Sequence, residues 1–231
     1  MGNRRSFLVA SSVVSTSLLL GRTGDAAGAK ASAEPEVTAV EDLMREHGVI
    51  RRALAVYREA GARLRTKPTA VPPDALASTA NLLRAFAEDY HEKKLEEAHI
   101  FPAVKRAAGA AGREIDTLIT QHQRGREITD YVVSVTSGTI GAARAEPLAR
   151  ALEAFARMYE EHAAREDTIV FPAWKKTMSA KQLDAMGELF EDIEHKTFGQ
   201  DGFDDAVEKM AAIERAFGLE LAQFTAPPPK P

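Results

Sequence analysis

Cysteine is absent from all 231 residues. That absence excludes disulfides, thiolate-ligated metals, iron–sulfur clusters and a cysteine nucleophile. No basic block occurs either: 30 lysines and arginines are interspersed among 34 aspartates and glutamates, for a net charge of −4. The electrostatic footprint of nucleic-acid binding is therefore missing. No stretch carries a strand signal, and the uncharged run from Ser6 to Leu20 is too short for a comfortable membrane span. What remains, at 45% hydrophobic and 28% charged residues, is an ordinary soluble composition with enough apolar mass for one good core.

Residues 1–33 read as an export signal. Arg4-Arg5 is followed by Ser6-Phe7-Leu8, an uncharged run and a small-residue site, Ala31-Ser32-Ala33, with Ala27-Gly28-Ala29 as an alternative. The stretch beginning Asn3-Arg4-Arg5-Ser6 resembles the twin-arginine motif of bacterial export, which implies a periplasmic or otherwise exported protein translocated already folded. A general secretory signal or an uncleaved anchor is the plainer alternative.

The rest reads as all-α. Val40, Leu43, His47, Ile50, Leu54, Tyr57, Gly61 and Leu64 alternate three and four apart, which predicts a first helix over about 37–65. Three prolines stop it by Pro73. A second helix begins near Asp74, expected as its N-cap, and is kinked or ended at Pro102. A third is expected over about 113–137, with Gly125 on its inner face allowing close approach of a neighbour. A fourth begins by Pro147 and reaches about Lys176. Ser179 and Gln182 form a capping box for a fifth, and a sixth follows the Gly199–Gly202 turn. The domain is expected over 34–224, with a core of 37–176, extra helices over 180–218 and a proline-rich, disordered tail at 225–231.

Two of these helices carry the same idea twice. Tyr159-Glu-Glu-His-Ala-Ala-Arg-Glu-Asp-Thr-Ile-Val-Phe-Pro172 places His162 and Glu166 four apart on an apolar stripe. Tyr90-His-Glu-Lys-Lys-Leu-Glu-Glu-Ala-His-Ile-Phe-Pro102 repeats it, with Glu96 aligned on Glu166. Upstream of each lies a lone histidine, His47 and His122, with Leu at minus four and Arg at plus four. A buried imidazole and carboxylate are costly unless satisfied, and a metal ion satisfies both. The candidate ligands are thus His47, His91, Glu96, His122, His162 and Glu166. Four imidazoles and two carboxylates suit iron, manganese or zinc, and six donors are too many for one tetrahedral zinc. Two bridging carboxylates, with two histidines to each ion, make a dinuclear iron centre the economical reading, with positions left open for a small ligand.

The paired His-x-x-x-Glu…Phe-Pro segments with their upstream histidines resemble the hemerythrin-like HHE cation-binding family over about residues 40–175. The resemblance implies an up-down four-helix bundle with ligands from every helix, here with two additional C-terminal helices. It also implies two non-haem iron ions under an oxo or hydroxo bridge, with Glu96 and Glu166 bridging and O2 or NO as the partner. Arg126 stands where oxygen carriers of the family have a second histidine, so the set is closer to a four-His, two-Glu branch. The function expected is binding of, or reaction with, such a ligand in the cell envelope; a di-iron peroxidase, NO reductase or oxidase, and iron storage or donation, are the alternatives. His91 and Glu96 are five residues apart where the family has four. A regular helix would leave them roughly 140° apart, so the spacing predicts a π-bulge between His91 and His99. Glu97 is a fallback carboxylate and Asp167 its aligned counterpart. His99 is expected in a supporting role, His195 exposed, and Arg51 and Arg126 within reach of a bridging glutamate. Tyr57, Tyr90 and Tyr159 are core aromatics, one of them able to hydrogen-bond a ligand.

Overall fold

The computed structural model describes residues 37–229, and those from Thr38 onward form one compact unit. The export segment expected at 1–33 lies outside the described residues. Within them every regular element is helical and none is a strand. No described helix is long and apolar enough to cross a membrane.

Helix α1 spans Ala39–Thr66. The Thr38 hydroxyl accepts from the Glu41 N–H, replacing one of the orphan bonds of the first turn. Leu43, His47, Ile50, Leu54, Tyr57 and Leu64 are all buried, as the periodicity requires. A short 3₁₀ turn, Pro68–Ala70, leads to α2, Pro73–Leu82. The expected cap at Asp74 is corrected: Pro72 is the N-cap and Pro73 takes the first position, where a missing N–H costs nothing. Asp74 sits inside the first turn, its charge facing the positive end of the helix dipole.

The chain then continues without a break as a π-helix, Leu83–Ile100, into α3, Phe101–Arg106. After a 3₁₀ turn at Ala111–Arg113 come α4, Ile115–Thr136, and α5, Ala142–Arg165. Helix α5 starts five residues before Pro147, which lies inside it; in the second turn a proline removes a single hydrogen bond, and the buried stripe from Ala145 to His162 outweighs that loss. A second π segment, Glu166–Val170, passes into α6, Phe171–Lys175. Both π segments end at a Phe-Pro. The proline ring clashes with the carbonyl four residues back, and the wider turn relieves it: Phe101 N–H bonds Glu96 O and Phe171 N–H bonds Glu166 O, each five residues back.

Helix α7, Ala180–Phe198, opens on the capping box of Ser179 and Gln182 and ends at Gly199 with φ 71°. Helix α8, Gly202–Phe217, ends at Gly218 with φ 64°. Both glycines occupy the left-handed region that a side chain disfavours. Helices α1 and α5 share the most extensive interface, α4 lies against α2, its π extension and α5, and α8 covers α1 and α2. Residues 225–229 are exposed and carry no helix.

Candidate metal centre

All six candidate donors are interior, each at most 3% exposed. The π-helix resolves the register of one pair. With hydrogen bonds reaching five residues back, His91 and Glu96 come onto one face, and Glu96 Oε1 lies 3.3 Å from His91 Nε2. In the other pair His162 and Glu166 span the last turn of α5, where a spacing of four is the helical repeat, and the same contact is 3.1 Å.

Each carboxylate reaches across two imidazoles. Glu96 Oε2 lies 3.3 Å from His122 Nε2, and Glu166 Oε2 lies 3.5 Å from His47 Nε2. The histidines themselves form two couples. His47 and His91 bring their Nε2 atoms to 3.1 Å, and His122 and His162 bring theirs to 3.0 Å. Donor atoms of Glu96, His122, His162 and Glu166, and separately of His47, His91 and Glu96, lie within 4.8 Å of one another. Phe171 stacks on His47 and Phe101 on His122, one from each Phe-Pro.

The outer nitrogen of every ring is taken. His47 Nδ1 donates to Asp167 at 2.8 Å, His91 Nδ1 to Glu46 at 2.5 Å, His122 Nδ1 to Glu97 at 2.8 Å, and His162 Nδ1 to Gln121 Oε1 at 2.9 Å. Each partner offers an acceptor oxygen, so the proton of a neutral ring sits on Nδ1 and the lone pair on Nε2 points inward. Two lone pairs 3 Å apart cannot bond each other. Both oxygens of Glu96 and of Glu166 are buried without a hydrogen-bond partner among the described residues. Inward nitrogen lone pairs and orphaned carboxylate oxygens are what a cation satisfies, so the residues fit metal binding. Burial pushes the imidazoles of His47, His91 and His122 down, yet the surrounding carboxylates raise the first two above the usual histidine value and His122 to about 10. Glu96, despite its burial, is held well below the usual carboxylate range by His91 and His122.

Arg51 and Arg126 do not reach Glu166 or Glu96. They pair instead with Asp167 and Glu97, the carboxylates behind His47 and His122. Glu97 is therefore a tether of His122 rather than a member of the inner set. The tyrosines act one step further out: Tyr90 donates to Glu46 at 3.0 Å and Tyr159 to Glu92 at 2.6 Å. The Tyr57 hydroxyl is buried without a partner among the described residues. His99 packs on Phe190, outside the cluster, and His195 is exposed. Glu46, Glu92 and Gln121 were not legible as site residues from periodicity. A signal existed for two of them, since Glu46 and Gln121 each stand immediately before an upstream histidine of the repeat.

Residues 38–174 match the family model of the hemerythrin HHE cation binding domain. Uncharacterized proteins of Mycobacterium tuberculosis and Mycobacterium bovis are 47% identical over 197 residues, covering 83% of this chain and 75% of each relative. No solved structure matches the chain.

Proposed function

Because this chain belongs to the hemerythrin HHE cation-binding family, we propose that its six interior donors hold two metal ions and that these are non-haem iron. His47 and His91 would serve the first position and His122 and His162 the second, with Glu96 and Glu166 within reach of both. In this reading α1, the run from α2 to α3, α4, and the run from α5 to α6 are the four rods of an up-down bundle, with α7 and α8 added. Each rod supplies donors to the centre.

The observation that carries the proposal is the pairing of Nδ1 and Nε2 roles. Four rings are locked by outer acceptors so that four lone pairs meet four unpartnered carboxylate oxygens. Nitrogen and oxygen donors of this kind suit iron, with manganese and zinc compatible. Iron would supply redox chemistry there; the chain's part is to orient the rings, hold Nδ1 protons outward and exclude water. Six donors exposed by 3% or less leave room only for a small ligand. That favours O2 or NO, bound or reduced; the cell envelope, reached by twin-arginine export, is proposed from the stretch Asn3 to Leu8 alone.

Elemental analysis of protein purified from its native compartment tests the metal. Two irons per chain are expected; two zincs would remove the redox reading and keep the site. Anaerobic ferrous loading followed by air tests the activity. A reversible optical change supports binding, peroxide turnover supports an enzyme, and ready loss of iron to a chelator supports donation.

A further inference from the structure

The two halves of the centre follow one plan with one exception. Asp167 takes the Nδ1 proton of His47 and is itself paired with Arg51. Glu97 takes that of His122 and is paired with Arg126. These arrangements match. In the remaining pair the residue just before an upstream histidine reaches across to the ring on the next rod. Glu46, before His47, accepts from His91 at 2.5 Å; Gln121, before His122, accepts from His162 at 2.9 Å. The place in the repeat and the task are the same, but one acceptor is an anion and the other a neutral amide.

A carboxylate behind Nδ1–H makes the opposite nitrogen a stronger donor to metal than an amide does. Among the described residues Glu46 has no guanidinium partner on the oxygen that faces His91; its other oxygen accepts from Tyr90. Glu92 brings a further carboxylate charge near the second half, but not as an acceptor behind a ring. Its Oε2 is 3.9 Å from His122 Nδ1, beyond hydrogen-bond reach, and its oxygens are engaged by Arg126 and Tyr159.

We propose that Glu46 and Gln121 are positioning residues that make the two metal positions electronically unequal. The position between His47 and His91 favours the higher oxidation state, and that between His122 and His162 the lower. This rests on the two-metal reading above.

The test uses the full chain loaded with iron, with occupancy measured by elemental analysis. Diferric protein is titrated with dithionite under nitrogen in the presence of redox mediators, followed by Mössbauer spectroscopy. Wild type is expected to reduce in two separate one-electron steps. In Gln121→Glu the higher-potential step shifts down and the gap narrows. In Glu46→Gln the lower-potential step shifts up and the gap narrows again, and the double exchange reopens it. A purely structural role for either residue would lower occupancy or stability and leave the steps where they are. Gln121→Glu, which adds a charge behind a ring rather than removing one, decides the matter if Glu46→Gln fails to hold two ions. Two ions per chain with an unchanged or wider gap in Gln121→Glu overturns the inference alone. Fewer than two ions in wild type overturns the two-metal reading and the inference with it.

Discussion

A β-carbon built at Gly125 would stand 2.0 Å from the Tyr159 hydroxyl and 2.8 Å from its ring. The ring cannot swing away, because its hydroxyl is tied to Glu92 and its face is stacked on Phe155. Gly125→Ala is therefore expected to cost about 1–3 kcal/mol, as overpacking does, measured by urea denaturation of the metal-free protein. Glu88 carries the opposite kind of strain. It is fully buried, its Oε1 accepts from Thr129 at 2.5 Å, and Arg84 lies 2.8 Å from its Oε2. Burial, added to by the charge of Glu92, pushes its carboxyl up to about 7 against the Thr129 bond. Between the unfolded value near 4.5 and about 7, the folded state binds the proton that the unfolded state has lost. Stability contributed by this group accordingly falls as pH rises through that window. Glu88→Gln should raise stability at pH 8 by on the order of 2 kcal/mol and by much less at pH 4. Denaturation curves at the two pH values check the sign.

At the scale of the element, the π-helix was legible as a need before it was visible as a structure. A spacing of five between His91 and Glu96 demands one wide turn, and the chain answers with eighteen residues, Leu83–Ile100. The second π segment at Glu166–Val170 was not legible from spacing, since His162 and Glu166 already share a face. Its cause is the Phe-Pro that follows. Wide turns hold their hydrogen bonds less well than α turns. Amides 92–101 of the metal-free protein should therefore exchange with deuterium faster than those of α1, and slow at least about tenfold once metal fixes both ends of the segment. Equal protection before and after loading would separate the π geometry from the metal. The capping box ahead of α7 gives a simpler expectation: Ser179→Ala should cost about 1 kcal/mol in a thermal melt and leave metal content unchanged.

For the whole molecule, the centre concentrates like and unlike charge where hydrocarbon would otherwise lie. Four imidazoles and two carboxylates are held between helices that also bury Glu46, Glu88 and Glu92 among mostly apolar residues. A ligand that binds only the folded arrangement adds its binding free energy to stability. Stripping metal with a chelator should lower the melting temperature by about 10 °C or more, and re-addition of ferrous iron should restore it. An unchanged melt would mean that the rods are held by their apolar contacts alone. The same charge concentration explains why two of the four outer tethers are carboxylates with arginines behind them. Asp167 with Arg51 and Glu97 with Arg126 keep the outward protons fixed while limiting net charge in the interior.

Sequence alone determined the helical class, the stripes that face inward, the two-copy pattern and the six residues that converge. Those features are local: they follow from a repeat of 3.6 residues, from proline and glycine stops, and from spacings of four and five along one helix. Tertiary structure alone decided which acceptor stands behind which ring. The partners lie 120, 45, 25 and 41 residues from their histidines, on other rods, and their pairing depends on helix rotation and crossing that no single-helix period encodes. It also sent Arg51 and Arg126 to the outer carboxylates rather than to Glu96 and Glu166. There a guanidinium meets solvent at one end and an anion at the other, whereas at the centre it would take the space and the oxygens that a cation needs.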